Sequence, residues 1–324
     1  MMASIVGPEG LEQAAETLRR GGLVAFPTET VYGLGACVWD ERAIARIFEV
    51  KGRPRFDPLI VHVSNEAMRQ ACVAEWPERA QQLADRFWPG PLTLVVVKSA
   101  QVPDLVTAGL PTVALRMPAH PLALALIEKT GAPIAAPSAN RFGRPSPTCA
   151  EHVVRQLGGD IDLILDGGPC TVGVESTVLS LVDTPPAVLR PGGVPLEALE
   201  QILGPVQKSW TAAEPSGLPK SPGQLPRHYA PRTPLQIVTD PHPIPGRRTG
   251  LLAFTMPRDT EGFAHVEVLS ARGDLREAAA RLFAALHRLD EADLDIILAQ
   301  PVPEMGLGVA IMDRLRRAAH MPQS

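Results

Sequence analysis

Short apolar runs bounded by proline or glycine recur along the first two thirds of the chain. They fall at 22–27 (GLVAFP), 58–64, 91–99, 112–118, 162–168, 176–183 and 186–192, each of a length that suits a strand. Segments of helical period lie between them. Residues 41–52 place Ile44, Ile47 and Phe48 on one face and end at Gly52. Further helices are expected at 78–88, at 121–131 with Gly131 as its stop, and near 149–157. This alternation predicts an α/β unit over residues 1–204. Its strands are short and interrupted, so an open, mixed and strongly twisted sheet is expected. Gly33 and Gly35, just past the first apolar run, are expected to let the backbone turn.

The texture changes over 205–245, where ten of the 34 prolines fall, too many for a helix or a central strand. An extended linker is the plain reading. However, SPGQLPRHYAP (221–231) sets Arg227, His228 and Tyr229 side by side, which suits a lid better than a spacer. Residues 246–324 read as a second, smaller unit. Strands are expected at 249–255, 265–270 and 294–300. Asp274 caps a helix whose apolar stripe is Leu275, Ala279, Leu282, Leu286 and Leu289, and a helix over 308–320 closes the chain. The order suggests a small βαβ domain with a parallel sheet.

Composition narrows the class. The 324 residues are 45% hydrophobic and 20% charged with a net charge of −4, as in an ordinary soluble protein and unlike a broadly basic nucleic-acid binder. No apolar run approaches the roughly 20 residues that span a bilayer, and no signal peptide is evident, so no membrane role and a cytoplasmic location are expected. Cys37, Cys72, Cys149 and Cys170 form no C-x-x-C pair, which favours free thiols over zinc or disulfides. A P-loop, a G-x-S-x-G elbow and H-E-x-x-H are all lacking.

The candidate chemistry sits at strand ends. In KGRPRFDPLIVHV (51–63), Lys51, Arg53 and Arg55 crowd a helix end stiffened by Pro54 and Pro58. Such cations complement the helix dipole, but a frozen triple-cation turn also suits a triphosphate. His62 lies inside an apolar strand, where it is either a satisfied core residue or a site residue. APSANRFGRPSPT (136–148) brings Ser138, Asn140, Ser146 and Thr148 out of an apolar run, as a surface turn or an anion-cradling nest. Glu175, Ser176 and Thr177 lead into a strand as Thr28, Glu29 and Thr30 follow one. Arg116 and Arg190 lie in or at the end of apolar strands and require an anionic partner, from the protein or a ligand. The residues alone indicate a pocket for a phosphate-rich ligand and a small zwitterion or carboxylate, and they do not name a reaction.

FPTETVYGLG, KGRPRFDPLIVHV, FWPGPLTLV, RMPAHP, APSANRFGRPSPT, GVESTV and LRPGG, in that order, resemble the signatures of the YrdC-domain family. SPGQLPRHYAP followed by a small βαβ unit resembles its longer, two-domain synthase form. The resemblance implies a twisted sheet with a concave basic cavity, then a Rossmann-like C-terminal domain. It also implies a nucleotidyltransferase that joins L-threonine, bicarbonate (or CO2) and ATP into threonylcarbamoyl-AMP with release of pyrophosphate. The product would pass to a tRNA threonylcarbamoyl transferase complex; Mg2+ would accompany ATP, and a direct tRNA contact would be weak. By the same resemblance, Thr28, His62, Arg116, Ala136 and Ser176 form the threonine site. Lys51 and Arg55 meet the triphosphate and serve catalysis. Thr112, Ser138, Ser146, Arg190 and Tyr229 contact the nucleotide, and the linker and C-terminal domain gate the pocket. Asp57 stands where the family pattern has asparagine. The rival readings are an RNA-binding module without synthase activity and a YrdC-like carbamoyl transferase acting on another acceptor.

Overall fold

The computed structural model describes residues 3–210 and 228–319. Two sheets organise them. The larger has eleven strands, running in spatial order from Ser4–Val6 at one edge to Gln207–Lys208 at the other. It is mixed: Ile60–His62 pairs parallel with Thr112–Arg116, which pairs antiparallel with Leu92–Val97, which pairs parallel with Thr177–Ser180. The smaller sheet is parallel throughout, in the order Leu235–Ile237, Ile296–Ala299, Thr249–Ala253, His265–Val268. The fold is therefore the expected α/β arrangement of an open mixed sheet followed by a small parallel one.

Local chemistry sets the helix ends. Asp40 accepts from the amides of Arg42 and Ala43 to start the helix Glu41–Lys51, which stops where Gly52 adopts φ +64°. Asp274 does the same for Leu275–Glu291 through the amides of Arg276 and Glu277. Some elements escaped the sequence pattern. Ser4–Val6 and Ile134–Ala135 are too short to carry a period. Gly33–Cys37 is a strand, where a glycine turn was expected. Neither glycine has a positive φ. A Cβ on Gly35 would lie 2.8 Å from Phe26 and 2.9 Å from Ile134, so this glycine permits close packing of neighbouring strands. Two short strands, Gln207–Lys208 and Leu235–Ile237, lie within 205–245, where no strand was expected. Most of SPGQLPRHYAP, Arg227 included, lies outside the described residues.

The helix Leu275–Glu291 of the C-terminal unit packs directly on the larger sheet's loops. Gly173, at φ +76°, has no room for a side chain there, because a Cβ would lie 2.4 Å from the Ala279 carbonyl oxygen and the Ala280 Cα. His152 and His287 stack across this contact with centroids 3.8 Å apart, and the His287 Nε2 lies 3.1 Å from the Ser146 carbonyl. Arg155 pairs with Glu291 at its rim. Val31, Val174 and Tyr229 join the hydrophobic core of the C-terminal unit.

Burial, together with the neighbouring His287, lowers His152 to about 3, and burial lowers His287 to about 4. Both rings are neutral in the fold and become protonated in the unfolded chain below about pH 6.5. The unfolded state thus binds more protons between roughly pH 6.5 and 3, and stability falls as pH falls through that window. Each ring contributes a slope of up to about 1.4 kcal/mol per pH unit. Urea unfolding between pH 7.5 and 5 checks this. The double variant His152→Phe/His287→Phe is expected to show a shallower slope, and an unchanged slope removes these rings as the cause.

Candidate active site

The ends of several strands of the large sheet converge on one small cavity. The loop after Val24–Phe26 supplies Thr28 and Thr30. Ile60–His62 and Thr112–Arg116 supply His62 and Arg116, which sit opposite one another in parallel register. Ala136 and Ser138 follow Ile134–Ala135, Ser176 precedes Thr177–Ser180, and Arg190 ends Ala187–Arg190. His228 and Tyr229 reach the same cavity from the linker. The structure thus brings together Thr28, His62, Arg116, Ala136, Ser138, Ser176, Arg190 and Tyr229.

It does not bring the other candidates to the lining. Lys51 lies behind the 138–140 segment, 2% exposed, with its ammonium donating to the carbonyls of Ser138 and Asn140 at 2.5 Å each. Burial, with Arg53 nearby, pushes its pKa well below the ordinary lysine value. Arg55 is exposed on the turn after that helix. Thr112 opens its strand at the end remote from Arg116, in register with Val97. Ser146 is fully buried and donates to Glu175 at 2.5 Å. Glu175 and Thr30 are lining residues with no assigned role in the sequence, and Arg53 lines the cavity as the one member of the triple-cation turn to do so. A buried carboxylate beside Ser176 was visible in GVESTV, but its partner lies far along the chain.

The cavity's charges are matched from within. Arg116 Nη2 lies 2.7 Å from Glu29, while its Nη1 donates to Thr30 at 2.9 Å and its Nε to the Gly90 carbonyl at 3.2 Å. Arg53 pairs with Asp57 at 2.9 Å and donates to the carbonyls of Asp57 and Pro58. Asp57 is therefore the counter-charge of a lining arginine. Arg190 holds the Ser176 carbonyl through Nε and Nη2, and its Nη2 also meets the Ser176 hydroxyl at 3.1 Å. Thr28 donates to the Val31 carbonyl at 2.6 Å and accepts from the amides of Thr30 and Val31. Its hydroxyl proton is committed to the loop, while Glu29 and Thr30 make the connections to Arg116.

Burial, and then Arg116, pushes His62 down to about 3, so its ring is neutral. Its Nδ1, the Nδ1 of His228 and the Tyr229 hydroxyl are buried and make no hydrogen bond to the described residues. Buried polar groups without partners are costly in a native protein, and three of them around one cavity mark the surface that a polar ligand would satisfy.

Two family descriptions match the chain: "Telomere recombination" over residues 16–192, and "Threonylcarbamoyl-AMP synthase, C-terminal domain" over 194–320. A threonylcarbamoyl-AMP synthase of Pyrococcus abyssi is 47% identical over 94% of this chain and 93% of its own length. One of Bacillus subtilis is 46% identical over 95% and 92%. The crystal structure of P. abyssi Sua5 complexed with L-threonine superposes with a TM-score of 0.90 at 43% identity, covering 98% of both chains. The chain belongs to the two-domain threonylcarbamoyl-AMP synthase family.

Within this synthase, Lys51 is a buried cation and Arg55 an exposed one. Lys51→Met leaves two buried carbonyls without their donor and is expected to cost about 1–3 kcal/mol of stability. Arg55→Ala is expected to change stability by less than about 0.5 kcal/mol. Denaturant unfolding of both variants checks the contrast. Equal stabilities would show that Lys51 does not brace the 138–140 segment.

Proposed function

We propose that this cavity is where L-threonine, bicarbonate (or CO2) and ATP become threonylcarbamoyl-AMP and pyrophosphate. The observation that carries the reading is the grouping of His62, Arg116, Ala136 and Ser176 with Ser138, Arg190 and Tyr229 around one cavity. In this reading the first group takes threonine and the second takes the nucleotide. Arg116 meets the amino-acid carboxylate, sharing its guanidinium with Glu29 and Thr30. Neutral His62 accepts or donates a hydrogen bond through its unpaired Nδ1, according to its tautomer.

The chemistry is a nucleotidyl transfer. The neutral amine of threonine adds to CO2 and loses a proton to solvent, giving a carbamate, and a carbamate oxygen then attacks the α-phosphorus of ATP. The new P–O bond forms as the bond to the β-phosphate oxygen breaks, and pyrophosphate leaves with that electron pair. Such a step needs positioning and charge neutralisation more than a covalent nucleophile. Arg53 and Arg190 in the lining supply positive charge. Among the described residues no group of three or more His, Cys, Asp or Glu is arranged to hold a metal. In this scheme Mg2+ accompanies ATP, with the triphosphate as its main ligand. No described helix is long and apolar enough to cross a membrane. A cytoplasmic enzyme that hands its product to a tRNA threonylcarbamoyl transferase complex is the corresponding biological reading.

Pyrophosphate release by the purified chain is expected to require threonine, bicarbonate and ATP together. Release that proceeds at the same rate without threonine would overturn the reading. Arg116→Ala is expected to weaken threonine binding about tenfold or more, with ATP affinity changed by less than about threefold, by titration calorimetry. An unchanged threonine affinity would remove Arg116 from the amino-acid site.

A further inference from the structure

The C-terminal domain sends one side chain into the wall of the catalytic cavity. Arg314, on the helix Gly308–Ala319, is fully buried. Its Nε donates to Glu175 Oε2 at 2.8 Å, and its Nη1 donates to Asp313 at 2.6 Å. Its guanidinium also lies 5.0 Å from the centre of the Tyr229 ring. Asp313 is held from its other oxygen by Arg317 at 2.9 Å. Glu175 and Tyr229 both line the cavity.

Glu175 transmits this contact into the site. Its other oxygen accepts from Ser146, and its carbonyl accepts from the Gly193 amide. Gly192 lies so close that a Cβ there would be 2.3 Å from the Glu175 carbonyl oxygen. The next residue, Ser176, meets Thr93 through its hydroxyl at 2.8 Å and holds Arg190 through its carbonyl. A rigid chain of contacts thus runs from Arg314 through Glu175 to Ser176 and Arg190. A second contact runs from Arg314 to the Tyr229 ring face, a cation–π arrangement.

We propose that Arg314 is a positioning residue for the reaction. It fixes Glu175, and with it Ser176 and Arg190, while seating Tyr229 as the linker's contribution to the cavity. The C-terminal domain thereby completes the active site of the first domain. This rests on the synthase reading, which threonine-dependent pyrophosphate release by the wild-type chain tests separately.

Steady-state kinetics and thermal unfolding of Arg314→Met, Arg314→Lys and Glu175→Gln/Arg314→Met provide the test. In Arg314→Met the KM for both threonine and ATP is expected to rise about tenfold, and kcat to fall by up to about a hundredfold. A merely structural loss would instead lower the active fraction and leave KM unchanged. The double variant removes the uncompensated carboxylate, so its melting temperature recovers while both KM values stay raised. Arg314→Lys keeps the charge but not the fork, so intermediate KM values are expected. Leu315→Ala, a core truncation on the same helix, lowers the melting temperature without moving either KM. KM values within about twofold of wild type in whichever of the three Arg314 variants fold would overturn the proposal. So would a Leu315→Ala variant that reproduces the KM rise.

Discussion

The buried carboxylate of Glu175 is the constraint on which the two domains and the site jointly depend. A carboxylate taken out of water is costly, and burial works to raise its pKa. Arg314 and Arg190, with hydrogen bonds from Ser146 and Arg314, outweigh burial and hold the group below the ordinary glutamate range. The partners come from three stretches: the 136–148 loop, the end of the strand Ala187–Arg190, and the closing helix. None can shift without exposing or orphaning a charge in a low-dielectric interior, and breaking such a pair costs about 3–5 kcal/mol. Domain contact, loop position and cavity wall are therefore one cooperative unit.

The same logic recurs around the cavity. Arg53 with Asp57 and Arg116 with Glu29 are ion pairs whose members are less than 9% exposed at the side chain. Such pairs contribute little net stability, but they hold guanidinium groups at fixed positions facing a ligand. A cavity lined by matched pairs keeps its cations charged and in place without the strong mutual repulsion of free arginines. On the proposed function, an incoming carboxylate or phosphate would share a guanidinium that is already oriented, so little side-chain entropy would be lost on binding.

Much of this was legible in the chain. The Pro- and Gly-bounded apolar runs marked the strands, and hydroxyls and arginines at their ends marked the pocket. The resemblance groups His62, Arg116, Ser138, Ser176, Arg190 and Tyr229, and the fold brings these six to one cavity. The unread part has physical causes. Gly33 and Gly35 looked like turn formers because nothing local shows that Phe26 and Ile134 will press on them. A helix-end cation such as Lys51 gives no local hint that its ammonium will reach the carbonyls of Ser138 and Asn140. Arg314 was invisible, since its partner Glu175 lies 139 positions away, beyond any periodicity.

The place of His228, Tyr229 and Ala230 in the structure follows from packing. Tyr229 adopts φ +63°, a left-handed conformation that costs a side-chain-bearing residue on the order of 1 kcal/mol. It persists because the ring is 1% exposed, lying against Phe283 at 5.5 Å, His228 at 4.1 Å and the face of Arg314. The Ala230 amide adds a bond to the Gly143 carbonyl at 2.8 Å, and His228 packs edge-on to Phe142. The anchors thus come from both domains. Phe142 and Gly143 belong to the loop that also carries Ser138, whereas Phe283 and Arg314 belong to the C-terminal unit. Residues 228–230, seated by both sides at once, cannot remain in place if the domains separate. The cavity wall they supply therefore reports directly on how the two domains are docked.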